Sequence, residues 1–316
     1  MNGFIVIDKP AGMTSHDVVG CVRRLAGMKK VGHTGTLDPF ATGVLPVALG
    51  EGTKAIPFLD ESVKKYRAVM RLGETTDTQD CTGSIVRRSA WESVTAADIG
   101  ETVRHFIGRG YQVPPMYSAI KRGGVPLYRL ARKGEEVHRE PRQIEVHDLT
   151  VDRIGLPEVE FTVTCSRGVY IRTLASDMGD RLGCGAHLVR LRRLASGPFS
   201  LEQAVSLEQL ADITGRRELD RHLISCHETL SHLEDLTLTA EGAARLSFGI
   251  APEPADLEAM PGKMPAVGER VRLSRDGLLI AVAEVTADGW PAREGKPRLL
   301  RVFSPAGASI DFTEDD

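Results

Sequence analysis

The alternation of apolar and polar positions divides the first two hundred residues into short strands interleaved with helices. Phe4 to Ile7 is a compact apolar run closed by the turn Lys9-Pro10-Ala11-Gly12. Ser15 stands where a helix cap belongs, ahead of Val18, Val19, Val22 and Leu25 on one face, with Gly27 at the end. Thr95 with Asp98 three residues on has the form of a capping box. It would open a helix over Ile99, Val103, Phe106 and Ile107 that Gly108 stops. Tyr66 to Leu72 and Glu158 to Cys165 alternate with the period of a half-buried strand, with Val159, Phe161, Val163 and Cys165 on one face. Distant strands interleaved with helices predict a mixed α+β architecture built on a sheet.

The pattern changes twice. Between Pro114 and Arg142 no apolar period can anchor the chain in a core. Lys121, Arg122, Arg129, Arg132, Lys133, Arg139 and Arg142 lie there among glycines and two tyrosines, Tyr117 and Tyr128. This stretch reads as a protruding, basic, partly helical insertion or as a solvated surface loop. After Ser200-Leu201-Glu202-Gln203 and Ser206-Leu207-Glu208-Gln209, helical segments run to about residue 234. Val271 to Leu273, Leu278 to Val285 and Leu299 to Phe303 then read as short strands, with turns at Asp276-Gly277 and Asp288-Gly289. The expected organisation is a domain over 1–235 carrying the insertion at 114–142, and a small β-rich domain over 236–310. Thr313 to Asp316 is expected to fray as an acidic tail.

Composition adds little to this, but the distribution of charge adds something. Hydrophobic residues at 41% and charged residues at 26% describe an ordinary globular protein. No apolar run approaches the roughly 20 residues that span a bilayer, and Phe4 to Ile7 is too short for a signal-peptide core. Five scattered cysteines argue for a reducing compartment, so a cytoplasmic location is expected. The net charge of −3 conceals an asymmetry: residues 1–200 hold 28 Lys and Arg against 22 Asp and Glu, whereas residues 201–316 hold 12 against 21. A polyanion would be met by the basic front section.

Candidate chemistry concentrates in one loop. No P-loop or dinucleotide fingerprint is present, and the spacing of His222, Cys226, His227 and His232 fits no zinc pattern. Gly32 to Pro46, GHTGTLDPFATGVLP, holds too many glycines, prolines and threonines for a helix or a central strand. Such a shaped loop on a rigid scaffold is where function gathers. Asp38, held extended by the following Pro39, either closes the loop as an Asx turn or is a presented carboxylate. Composition leaves both readings open.

Leu37-Asp38-Pro39-Phe40-Ala41-Thr42-Gly43 resembles the signature of pseudouridine synthases, which contains their essential aspartate. A longer series resembles the TruB-type tRNA pseudouridine-55 synthases. It runs through Asp8 to Ser15, Lys65-Tyr66-Arg67, Gly73 to Thr78, Tyr117 to Lys121, Ser166 to Arg172, Gly183 to Leu188 and Arg190 to Arg193. These motifs cover most of residues 1–200. The resemblance implies a largely antiparallel sheet flanked by helices, with a PUA-like C-terminal RNA-binding domain. It implies isomerisation of uridine 55 in the T-arm stem-loop of tRNA, by cleavage of the bond from N1 to C1′ and rejoining through C5. No atom is gained or lost, so no cofactor and no metal is expected. Asp38 would be the nucleophile or base, and Arg172 would pair with it. Tyr66 would stack on the base, and His33 would fill the space left when the uridine flips out. Tyr170 and Leu191 would line the base pocket; Lys9 and Lys54 would support the catalytic loop or touch phosphate. The insertion would be a thumb closing on RNA. A monomer without an obligate protein partner is expected. The alternatives are a catalytic subunit of a guide-RNA ribonucleoprotein and an RNA-binding tRNA folding factor.

Overall fold

In a computed structural model of the chain, residues 1–259, 265–286 and 297–303 are described. The turn expected at Asp288-Gly289, the acidic tail and the end of the expected second domain lie outside these residues.

The dominant element is a ten-stranded mixed sheet. Along it lie Ala204–Val205, Gly3–Lys9, Thr42–Leu49, Ala186–Ser196, Val63–Leu72, Glu158–Ser166, Arg142–Gly155 and Gly108–Gln112. Most neighbours are antiparallel. The exceptions are Ala204–Val205 on Gly3–Lys9, and Ala186–Ser196 on Thr42–Leu49. The second matters most, because only Arg192 opposite Thr42 and Arg193 opposite Gly43 join the two halves of the sheet. A Cβ on Gly43 would stand 2.2 Å from the Arg193 carbonyl oxygen, and its φ is +99°. Glycine is therefore required where the halves cross.

Alternation along the strands is followed closely. Val159, Phe161, Val163 and Cys165 are at most 1% exposed. They pack with Ala68, Met70 and Leu72 under the helices Ala96–His105 and Ile171–Arg181. Each Val, Leu, Phe or Met side chain among them contributes roughly 1.5–3 kcal/mol when fully buried. The box at Thr95 and Asp98 is present, but the helix ends at Phe106. Gly108 instead opens the edge strand, with φ +102°. The first helix, Ser15–Ala26, is capped by Thr14 in a box with Asp17 and closed by Gly27 in the left-handed conformation. Ser15 is thus not the cap but the first helical residue, buried with its hydroxyl committed elsewhere.

The basic insertion forms a small hairpin, Lys121–Arg122 with Val125–Pro126, and the short helix Leu127–Ala131. Its cations face solvent apart from the half-buried Arg139. Near the other end, Glu234–Thr237, Arg270–Arg275, Leu278–Glu284 and Arg298–Val302 make a four-stranded sheet. Asp276 and Gly277 both have positive φ, as a tight hairpin turn requires. The middle of Leu278–Glu284, from Leu279 to Ala283, is apolar at every position because both its faces are covered. Ile280, Ala281 and Ala283 pack within this sheet's own core, whereas Leu279 and Val282 join Phe4, Val6, Phe199 and Leu230 of the large sheet's core. The small sheet is therefore seated on the large one by shared apolar packing. No helix among the described residues is long and apolar enough to cross a membrane.

Candidate active site

The loop between Val31–His33 and Thr42–Leu49 enters the sheet at its weakly joined centre. Leu37 and Ala41, on either side of Asp38, are 4% and 0% exposed and belong to the main core. Their burial pins the segment. Ser15 Oγ accepts from Leu37 N at 3.0 Å and lies 3.3 Å from Leu37 O, to which it can donate. Lys9, wholly buried, donates from Nζ to the carbonyls of Pro10, Met13 and Pro39 at 2.8, 2.6 and 3.2 Å. Gly12 N donates to Pro39 O as well, at 2.8 Å. The N-terminal motif is thus a clamp on the Asp38–Pro39 bend.

Asp38 does start a turn, since its carbonyl accepts from Ala41 N at 3.1 Å. Its carboxylate, however, is turned to Arg172. Arg172 Nε lies 2.8 Å from Oδ2 and Nη2 lies 3.3 Å from Oδ1. Arg172 also donates from Nη1 to Thr78 O at 2.9 Å and from Nη2 to Tyr117 O at 2.7 Å. Arg172 is the second residue of its helix. Gln112, itself 3% exposed, donates to Tyr170 O and accepts from Tyr170 N, which fixes the start of that helix.

A second carboxylate completes the centre. Asp80, 4% exposed, lies with Oδ2 3.7 Å from Arg172 Nε. Its Oδ1 accepts from Thr78 Oγ1, Thr82 N and Thr82 Oγ1 at 2.8, 2.9 and 2.6 Å. Asp38 keeps 36% of its side chain exposed, yet the protein around it is dense. Burial pushes its carboxyl above the usual carboxylate range; Arg172 opposes this, and Asp80 adds to it. Burial also lowers Lys9 to about 8, against the pull of Asp38.

Tyr66 and Leu191, 8% and 7% exposed, lie in the same core cluster as Leu37 and Ala41. Burial raises the Tyr66 phenol, whereas the Arg193 guanidinium beside it pulls the other way. Tyr170 is raised by burial also, with Ser118, Arg172 and Asp38 close by. His33 stands apart. Its ring meets His16 edge-on at 5.2 Å, its Nδ1 is buried without a hydrogen-bond partner among the described residues, and burial with the nearby His16 holds its pKa low.

Lys54 is not brought to this centre. It pairs with Glu51 and donates to Val302 O at 3.2 Å, at the seam with the small sheet. Asp80, Ser15, Gln112 and Arg193 were given no role at this site from the sequence, although Ser15 and Arg193 end two of the recognised motifs. For Asp80 a signal existed in Thr78-x-Asp80-x-Thr82, directly after a recognised motif. For the others, only the fold brings their partners near.

Comparison with known proteins identifies the family. The profile described as TruB family pseudouridylate synthase (N terminal domain) matches residues 23–171. That for the tRNA pseudouridylate synthase B C-terminal domain matches residues 172–236. The chain is 56% identical over 304 residues to tRNA pseudouridine synthase B of Geobacter sulfurreducens, covering 96% of this chain and all of that one. With the protein of the same name from Geotalea uraniireducens the identity is 55%, over 96% and 98% of the two chains. Among solved structures, a chain of a Cbf5-Nop10-Gar1 complex is similar, with a TM-score of 0.74 and 27% identity over 96% of this chain and 85% of that one. The mixed sheet and its flanking helices are the pseudouridine synthase fold. Within that class, the chain belongs to the TruB family of pseudouridylate synthases.

Proposed function

We propose that this chain converts uridine to pseudouridine in tRNA, at position 55 of the T-arm loop, with Asp38 as the essential carboxylate. The observation that carries the reading is the Asp38–Arg172 pair, because desolvation and a guanidinium fixed by four contacts act on one carboxylate where the two halves of the sheet join. In the reaction the bond from N1 to C1′ breaks and the bond from C5 to C1′ forms. The proton on C5 leaves and N1 gains one. A fixed anion can attack C1′, add to the ring or remove a ribose proton, and each of these routes needs a carboxylate held ionised.

The flipped base would stack on Tyr66, worth about 1–3 kcal/mol, between Leu191 and Tyr170. His33 would take the place of the base in the RNA loop, whose opening costs a few kcal/mol. The exposed cations of 114–142 would hold backbone phosphates, and the small sheet would act as a PUA-like RNA-binding unit. The enzyme would work as a monomer in the cytoplasm. A role as guide-RNA ribonucleoprotein subunit is less well supported: the relatives at 55–56% identity are named as tRNA enzymes, and the basic insertion supplies RNA contacts within the chain itself.

The test is Asp38→Asn with tRNA tritiated at uridine C5. We expect tRNA binding to persist and tritium release to vanish. Release at the parent rate overturns the assignment, and free uracil among the products would replace isomerisation with hydrolysis.

A further inference from the structure

Arg193 is among the largest fully buried side chains of the protein, at 0% exposure. Among the described residues it has no carboxylate within ion-pair distance, which is an unusual setting for a charged group. Its contacts are instead with the two stems of the Asp38 loop. Nε donates to Val44 O at 2.8 Å and Nη2 donates to Gly35 O at 2.8 Å. Gly35 precedes Asp38 and Val44 follows it, so one planar group spans the segment. The Arg193 backbone pairs with Gly43 on one side and with Tyr66 on the other. Its third nitrogen, Nη1, is buried without a hydrogen-bond partner among the described residues, and the guanidinium lies close enough to the Tyr66 phenol to act on its ionisation.

We infer that Arg193 is a positioning residue that fixes the separation of Gly35 and Val44, and thereby the placing of Asp38 relative to Tyr66. Lys9 and Ser15 hold the middle of the loop; Arg193 holds its ends. A guanidinium is suited to this because two of its donors are set in one rigid plane, whereas an ammonium offers a single centre. Gly35 fits the same arrangement. It has φ +65°, and a Cβ there would stand 3.3 Å from Arg193 Nη1 and 2.8 Å from Lys64 Nζ. The inference rests on the assignment of Asp38 proposed above.

The experiment compares Arg193→Lys and Arg193→Met with the parent and with Asp38→Asn. It measures single-turnover tritium release at saturating enzyme, tRNA affinity by filter binding, thermal melting, and amide exchange resolved by segment. We expect Arg193→Lys to melt cooperatively and to bind tRNA within about twofold of the parent. It should react at least tenfold more slowly, with faster exchange confined to residues 34–44. Arg193→Met should be slower still. A folded variant that reacts within twofold of the parent overturns the inference. So does a rate that falls only in proportion to the unfolded fraction, with exchange faster across the whole sheet. If neither variant folds, Gly35→Ala decides, since its methyl crowds Lys64 Nζ and Arg193 Nη1 beside the Nη2–Gly35 O bond while leaving Arg193 in place. The same split between rate and affinity is expected there, and an unchanged rate overturns the inference. Activity in Asp38→Asn would overturn the assignment of Asp38 and this inference with it. An inactive Asp38→Asn beside a fully active Arg193→Lys removes only the inference.

Discussion

Arg172 approaches Asp38 side-on, with Nε 2.8 Å from Oδ2 and Nη2 3.3 Å from Oδ1, while its other contacts reach Thr78 O and Tyr117 O. One side chain therefore ties the carboxylate to a sheet-end loop and to the root of the basic insertion. Lysine can keep the charge but not these four directions. Arg172→Lys is expected to lower the single-turnover rate at least 100-fold, about 2.7 kcal/mol of barrier, with tRNA affinity changed only a few-fold. Rapid-quench tritium release and filter binding measure the two quantities separately. A rate within threefold of the parent would show that the pairing is not required.

Lys54 leads to the opposite expectation. Its ammonium pairs with Glu51 and donates to Val302 O, so it joins the large sheet's domain to the small sheet. Lys54→Met should leave single-turnover chemistry within about threefold of the parent. Its effect should fall on stability, at up to about 1 kcal/mol as is usual for a partly exposed ion pair, read from urea titration. A hundredfold loss of rate in a stably folded variant would return Lys54 to the substrate.

Lys54 also shows how far the sequence could be read. Period-two strands, the box at Thr95 and Asp98, the basic insertion and the turn at Asp276-Gly277 are local patterns. Each was legible because its physics lies within a few residues. From composition Asp38 was legible as one of two readings; the resemblance to the family motifs chose between them and paired it with Arg172, and in the fold its side chain faces Arg172 while its carbonyl closes the turn. Ser15 looked like a cap because a serine before an apolar period usually is one. Thr14 takes that role, leaving the Ser15 hydroxyl for Leu37. The tasks of Lys9, Asp80 and Arg193 depend on partners that sequence spacing does not bring together. A lysine in a motif reads equally as a phosphate contact or as a clamp.

Lys9 makes a prediction in pH. As an ammonium it has one N–H for each of the carbonyls of Pro10, Met13 and Pro39. The neutral amine has only two. Burial lowers its pKa from 10.5 to about 8, so activity should decline as the pH rises through about 8, when the clamp loses a bond and Asp38 loses a nearby cation. Stability should respond in the other direction. The unfolded chain keeps this proton to about pH 10.5 while the folded chain releases it near 8, so the group's contribution rises with pH between these values. Pairing rate–pH profiles with urea titrations of the parent and Lys9→Met tests both signs. A parent profile flat from pH 7 to 9.5, or one that falls identically in Lys9→Met, would show that Lys9 is not the group responsible.

Asp80 acts on Asp38 through charge. It stands 3.7 Å from Arg172 Nε and is one of the influences that raise the Asp38 carboxyl. Asp80→Asn removes that repulsion, so the Asp38 pKa should fall. The acid limb of the rate–pH profile should then move downward. Geometry opposes any gain at neutral pH. In the parent, Oδ1 is fully used by Thr78 and Thr82. The new amide group must therefore turn its N–H donors towards Arg172, which has none but donors to offer. Arg172 should loosen, and the plateau rate should drop roughly tenfold even as the acid limb moves. Single-turnover rates from pH 5 to 9 separate the two effects, because one shifts the curve and the other scales it. An acid limb that stays in place would mean that Asp80 braces Arg172 without influencing the ionisation of Asp38.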